Sequence, residues 1–158
     1  MKKCLIFLPL LVVVVFSNMF CSCGTKEQYS KEFIERDLKA FLAEYVNTMN
    51  DNIEGYLSKD YNDVINKWQT NESLGDYNLF GLNSSATVEK YNILSLSEPK
   101  DDRVCAHVKL SVEDEGNYRN EEVNIYMILD NDKWLIDEIG EVKQGMKNTI
   151  QEINNSNR

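Results

Sequence analysis

The chain is poor in the residues that most often build catalytic and metal sites. Its 158 residues include one histidine, His107, and four cysteines, three of which lie within the first 23 positions. If those three belong to a cleaved leader and an anchor, the folded part keeps only Cys105 and has no internal disulfide. The stability of such an exported domain then depends on its apolar core. We expect no metal and no cofactor. No proline- or glycine-rich linker suggests a second folded unit.

Positive charge is also scarce. The sequence has 17 Lys and Arg residues against 26 Asp and Glu residues, which gives a formal net charge of −9. An acidic surface of this kind repels nucleic-acid phosphates, and no basic patch offsets it. We therefore expect no nucleic-acid partner.

A single long apolar run stands at the N-terminus. Lys2 and Lys3 precede the run from Leu5 to Phe16. A positive end followed by about a dozen apolar residues is typical of a secretory signal peptide, and is shorter than the roughly 20 residues that span a bilayer. An uncleaved anchor helix over residues 4–23 is the alternative interpretation.

The end of this leader has the pattern of a lipoprotein cleavage site. Small Ser22 precedes Cys23, whereas bulky Phe20 precedes the competing Cys21. A diacylglycerol thioether on Cys23 with one or more further acyl chains would hold the protein stably, since a single chain binds only marginally. We predict a signal peptide over 1–22, lipidation at Cys23, a lipidated tether over 23–28, and a membrane attachment on the periplasmic or outer-surface side of the cell envelope.

The remaining chain predicts helices followed by strands. Apolar residues recur at three- and four-residue spacing from Tyr29 to Met49, with Ser30 as N-cap, and again from Leu57 to Trp68. The period then changes to two. The strands are predicted over Thr87–Leu96, Arg103–Val112, Glu121–Leu129 and Lys133–Ile139, with a loop over Glu113–Asn120. Short connections make the sheet an antiparallel meander, and the class is α+β. One domain covers 29–140, and a C-terminal helix with a disordered tail covers 141–158.

The last strand carries a resemblance to a known fold. Asp132–Ile139 reads Asp-Lys-Trp-Leu-Ile-Asp-Glu-Ile after an acidic turn, and Asp76-Tyr77 lies in the connector before the sheet. These features and the order of elements resemble the nuclear-transport-factor-2-like (cystatin-like) superfamily, and within it small bacterial lipoproteins with a domain of unknown function. The resemblance implies a curved sheet wrapped against helices as a cone. The segment 113–120 and the tail after Gly140 depart from the simplest form of that pattern.

Four residues are candidates for contact with a ligand or partner. Tyr91 and Tyr126 are expected on the exposed side of the sheet, where aromatic residues suit an interface. His107 and Cys105 are expected on the face opposite the apolar stripe of their strand; the histidine is a candidate contact, and the cysteine is read as a small strand residue or a dimer-forming thiol. Trp134 lines a pocket in the cone or belongs to the core.

These observations leave several functions open. The first is a binding module for a small ligand or an envelope protein partner, with a homodimer through the open sheet face as one form. The second is an enzyme with its active site inside the cone, such as an isomerase, dehydratase or hydrolase. The third is a purely structural subunit of the envelope. A fold of this kind does not decide among them.

Overall fold

The computed structural model describes residues 27–48, 52–72, 74–83 and 85–156. The predicted signal peptide and Cys23 lie outside these residues. The described chain is an α+β domain with one four-stranded sheet and helices at both ends, as the hydrophobic periods predict. Its elements are α1 (Lys31–Thr48), a 3-10 turn (Glu54–Tyr56), α2 (Lys59–Gln69), β1 (Thr87–Leu96), β2 (Arg103–Asp114), β3 (Asn117–Asp130), β4 (Lys133–Ile139) and α3 (Val142–Ser156).

Both N-terminal helices begin at a serine that caps them. The Ser30 hydroxyl accepts a hydrogen bond from the backbone N–H of Phe33 at 3.2 Å, which confirms the predicted cap. The Ser58 hydroxyl accepts one from the N–H of Tyr61 at 3.1 Å and caps α2 in the same way. Each hydroxyl satisfies a backbone donor that the first helical turn leaves without a partner.

The sheet is an antiparallel meander in the order β1-β2-β3-β4. Side chains of β2 alternate regularly, and Val104, Ala106, Val108, Leu110 and Val112 are all buried on one face. Helix α1 contacts β1 and β4, so it lies across this buried face. We call this side the covered face. No helix among the described residues is long and apolar enough to cross a membrane.

The space between helices and sheet is filled by large side chains. Trp134, Tyr61, Phe41 and Met127 are each 0–1% exposed. Trp134 of β4 lies at the centre of this layer: its backbone N–H donates to the buried Asp37 carboxylate of α1 at 2.9 Å, and its indole N–H donates to the Gln28 carbonyl at 2.8 Å. These bonds fix α1 and the start of the described chain against the sheet.

The loop predicted over Glu113–Asn120 is wrong. Strand β2 continues to Asp114 and β3 begins at Asn117, so only Glu115 and Gly116 connect them. Both residues have positive φ, 51° and 83°. This backbone suits a two-residue hairpin because its twist matches the twist of the strands. The three consecutive acidic residues at 113–115 lack the alternation of apolar and polar side chains from which a strand is predicted, because they lie at the end of a hairpin.

Two glycines allow opposite stability predictions. Gly116 needs a positive φ, so Gly116→Ala should lower the free energy of unfolding by roughly 1–2 kcal/mol. Gly145 lies inside α3 with open space where a Cβ would stand, so Gly145→Ala should raise it by about 0.5–1 kcal/mol. Urea unfolding of the two variants measures both shifts. Equal shifts of the same sign would contradict the hairpin geometry.

Candidate binding face

We call the side of the sheet opposite α1 the uncovered face, because no helix that the structure describes lies on it. Directly paired residues point to the same side of a sheet. His107 pairs with Ser95 and Asn124, and Ser111 pairs with Lys90 and Asn120, so these residues belong to two rows across β1, β2 and β3. The alternation of β2 and β3 places these side chains on this face: Arg103, Cys105, His107, Lys109, Ser111, Glu113, Tyr118, Asn120, Glu122, Asn124, Tyr126 and Ile128.

His107 is held between two neighbours on this face. Its Nδ1 atom lies 3.0 Å from the Asn124 side-chain oxygen, and its Nε2 atom lies 3.0 Å from a Glu122 carboxylate oxygen. Both acceptors are best served by the protonated ring, which has two N–H donors. The Asn124 hydrogen bond, with a further contribution from Glu122, therefore raises the pKa of His107 above its ordinary 6.5. The predicted placement of His107 away from the helices is confirmed.

This geometry gives a titration prediction. The ring protons of His107 should titrate in NMR with a midpoint above 6.5, and Glu122→Gln should lower that midpoint because the carboxylate no longer stabilises the imidazolium. The signal needs no assignment, since the sequence has one histidine. Lys109→Gln provides a control of opposite charge on the same face, and should not lower the midpoint. A midpoint unchanged by Glu122→Gln would contradict the contact.

Tyr126 and Cys105 form the next paired row of the uncovered face. Tyr126 is 42% exposed, as predicted for a residue on the open side. Burial raises the pKa of the neighbouring Cys105 thiol, although a hydrogen bond with Tyr126 acts in the opposite direction. The thiol is protonated at neutral pH, which does not suit an activated nucleophile.

Tyr91 and Trp134 lie on the covered face. Tyr91 pairs with buried Leu110 and packs against the core, so its predicted position on the open side is wrong. The cause is an irregularity of β1 at Glu89, which shifts the alternation by one residue. Trp134 is 1% exposed and belongs to the core. Of the four sequence candidates, the fold therefore brings only His107 and Tyr126 onto the uncovered face.

A cleft of about 460 Å³ lies near the β2–β3 hairpin end of the sheet. Its lining residues are Glu89, Lys90, Ser111, Tyr118, Arg119 and Asn120. Lys90, Ser111 and Asn120 form one paired row, and the ring of Tyr118 stands beside it with 79% of the residue exposed. Sequence reasoning missed this site because Tyr118, Arg119 and Asn120 fell in the segment read as a loop.

Two buried phenols on the covered face are neutral at neutral pH. Burial raises the pKa of Tyr45 to about 12. Burial, with the charge of Glu138, raises the pKa of Tyr61 still further, and the enclosed Tyr61 hydroxyl has no hydrogen-bond partner among the residues that the structure describes. Both phenols remain neutral. The Asp37 carboxylate bonds the Trp134 backbone and the Arg36 guanidinium, which gives it a structural role.

The comparisons with known proteins identify no relative. No family model matches the chain, and neither a curated protein nor a solved structure matches it significantly. Within 27–48, 52–72, 74–83 and 85–156, no group of three or more His, Cys, Asp and Glu side chains is arranged to hold a metal ion.

Proposed function

We propose that this protein is a lipid-anchored lipoprotein of the cell envelope whose folded domain binds through its uncovered face. The observation that carries this proposal is the contrast between the two sides of the sheet. The covered side is filled by side chains of the core, whereas the other side has exposed Tyr118 and Tyr126 and a cleft between polar residues. Solvent-facing aromatic residues around polar groups are typical of binding surfaces.

The anchor in this proposal rests on the sequence before residue 27. Lys2, Lys3 and the apolar run suit export, and Ser22-Cys23 suits lipid attachment. Such an anchor with a short tether keeps the domain close to the membrane surface. Binding at the open sheet face would then connect the membrane to another component of the envelope.

We also propose that the fold is nuclear-transport-factor-2-like, or cystatin-like. Helices that precede an antiparallel meander, and the Asp-Lys-Trp strand that ends the sheet, support this assignment. A binding role is favoured over an enzyme of that fold because the phenols of Tyr45 and Tyr61 stay neutral and the Asp37 carboxylate has a structural role. Burial also raises the pKa of Glu138, but its carboxylate accepts the backbone N–H groups of Lys143 and Gln144 and so caps α3. General acid–base catalysis needs groups with a pKa near the working pH.

Position-specific photo-crosslinking in intact cells tests the proposal. A benzophenone amino acid replaces Tyr126 on the uncovered face in one version of the full chain and Tyr29 in another. The two positions are matched in exposure, 42% and 40%, but Tyr29 packs against Trp134 at the start of α1. We expect covalent adducts from position 126 and few from position 29, because a bound component would lie against the sheet.

The outcome depends on the comparison of the two positions. Photo-crosslinked adducts that form at position 126 whatever the density of the cell culture, with few at position 29, support binding through the uncovered face. Equal adducts at both positions would indicate random collisions and contradict the proposal. An absence of adducts at 126 would contradict it as well.

A further inference from the structure

The cleft on the uncovered face presents both hydrogen-bond donors and acceptors on a small area. Its floor is the row of Lys90, Ser111 and Asn120, and the Ser111 hydroxyl lies 3.4 Å from the Asn120 side-chain oxygen. A side-chain amide supplies two donors and an acceptor, and a hydroxyl supplies both. This chemistry suits a ligand whose own groups both donate and accept, such as adjacent hydroxyls.

The charges around the cleft are balanced. Glu89 lies next to Lys90, so one negative and one positive group share the same edge. Arg119 is held at 2.8 Å by both Asp114 and Glu121, and its charge is therefore neutralised by the protein. A phosphate or nucleotide site needs uncompensated cations. The balanced lining favours a ligand with no net charge.

An aromatic ring completes the cleft. Tyr118 is 79% exposed although it stands on a regular strand, so its ring is free to pack against a ligand. The C–H groups on the face of a sugar ring are apolar and fit an aromatic ring, while the phenol hydroxyl remains in water. A purely apolar ligand is disfavoured because it would leave the polar groups of the floor without partners.

The polar surface extends beyond the cleft along the strands. From Tyr118 to Tyr126 the uncovered face of β3 has the amides of Asn120 and Asn124 with Glu122 between them. The eight residue steps from Tyr118 to Tyr126 span roughly 27 Å at the rise of an extended strand. A linear ligand of several units fits this length better than a single small molecule does.

We propose that the cleft and the adjoining uncovered face bind a neutral linear oligosaccharide. The proposal rests on the function proposed above and names the ligand class for the same face. Tyr118 packs on one sugar ring, Ser111 and Asn120 hydrogen-bond its hydroxyls, and the chain continues towards Tyr126. A cleft of about 460 Å³ has a volume within the usual range for ligand sites, about 300–1,000 Å³.

Calorimetry on the detergent-solubilised full chain tests this assignment. The probes are four neutral tetrasaccharides, tetra-N-acetylchitotetraose, cellotetraose, maltotetraose and xylotetraose, with tetragalacturonate as the anionic control. We expect at least one neutral probe to bind and the anionic one not to bind. Tyr118→Ala and Asn120→Ala should each weaken binding by roughly tenfold or more, because central contacts carry most of the affinity. Tyr29→Ala, an exposed tyrosine elsewhere, should leave affinity unchanged.

Each adverse result has a separate meaning. If no neutral probe binds while crosslinks at Tyr126 persist in cells, the ligand class is wrong and the proposed function stands. If the crosslinks are absent too, both the oligosaccharide assignment and the proposed binding through the uncovered face are wrong. Binding of tetragalacturonate alone, or self-association of the chain that Tyr118→Ala abolishes, overturns the oligosaccharide assignment. If a neutral tetrasaccharide binds equally well to Tyr118→Ala and Asn120→Ala, its site lies outside the cleft, and the assignment of the cleft is overturned.

Discussion

Replacing Trp134 by alanine should lower the free energy of unfolding by about 3–5 kcal/mol. The side chain is 1% exposed, and its loss leaves a cavity between α1 and the sheet. The substitution also removes the indole donor that serves the Gln28 carbonyl at 2.8 Å and the edge contact with the Tyr29 ring. Urea unfolding followed by circular dichroism measures the change, since the fluorescence of one tryptophan is lost with the substitution.

Tyr118→Ala is the matched control for this prediction. It also removes a large aromatic ring, but Tyr118 is 79% exposed, so stability should change by no more than about 0.5 kcal/mol. The pair thus separates a core aromatic residue from a surface one. Similar losses for the two variants would contradict the assignment of Trp134 to the core and Tyr118 to the binding face.

Lys143→Met should be the second strongly destabilising change, by roughly 3 kcal/mol, the low end of the range for breaking a buried ion pair. Lys143 is 7% exposed and donates to Asp60 at 2.9 Å and to Asp137 at 3.0 Å, so it joins α2, β4 and α3. Methionine keeps the apolar stem but removes the ammonium group from Asp137, whose carboxylate then has only the Ser58 hydroxyl at 2.8 Å and the exposed Arg103 guanidinium at 3.4 Å as partners among the described residues. Lys147→Met, which removes a more exposed partner of Asp60, should cost less than about 1 kcal/mol.

The destabilisation by Lys143→Met should depend on pH. Burial alone would raise the pKa of Asp137, but hydrogen bonds from Ser58 and Lys143 hold it below the ordinary 3.8. Its contribution is therefore present above that value and is lost as pH falls through the lower pKa of the folded state. Burial opposes the charge of Lys143, yet its two aspartates raise its pKa above 10.5, so its contribution is lost only at higher pH.

Urea unfolding at several pH values checks this expectation. The difference between the wild type and Lys143→Met should be constant near neutral pH and should shrink in acid, as the pH falls below 3.8 and Asp137 becomes protonated. A difference that grows on acidification would contradict the ion pair.

Periodicity was sufficient to predict most of the fold. The bounds predicted for β1 and β4 match the structure, and the regular alternation of β2 correctly located its buried face. The predictions failed where local charge or an irregularity overrode the simple period. The charges of Glu113, Asp114 and Glu115 interrupt the apolar alternation, so the pattern predicts a loop where the β2–β3 hairpin lies. The pattern also places Tyr91 on the wrong side, because a sequence does not mark the irregularity at Glu89.

The candidate site was harder to predict because it depends on register. Lys90, Ser111 and Asn120 lie on three strands, and none of them stands in a motif. Their proximity follows from the pairing of β1 with β2 and of β2 with β3, which a single sequence does not fix. His107 was found as a candidate because it is the one histidine, whereas its contacts with Glu122 and Asn124 also depend on register.

Every functional proposal above requires that the protein is exported and attached to the membrane, because an envelope ligand is available only to an exported domain. Cells grown with a labelled fatty acid, followed by mass spectrometry of the N-terminal peptide, test it directly. The account predicts a labelled mature chain that begins at acylated Cys23. It also predicts loss of label in Cys23→Ala and retention in Cys21→Ala. An unlabelled chain with an intact Met1, or label that remains in Cys23→Ala, would contradict it.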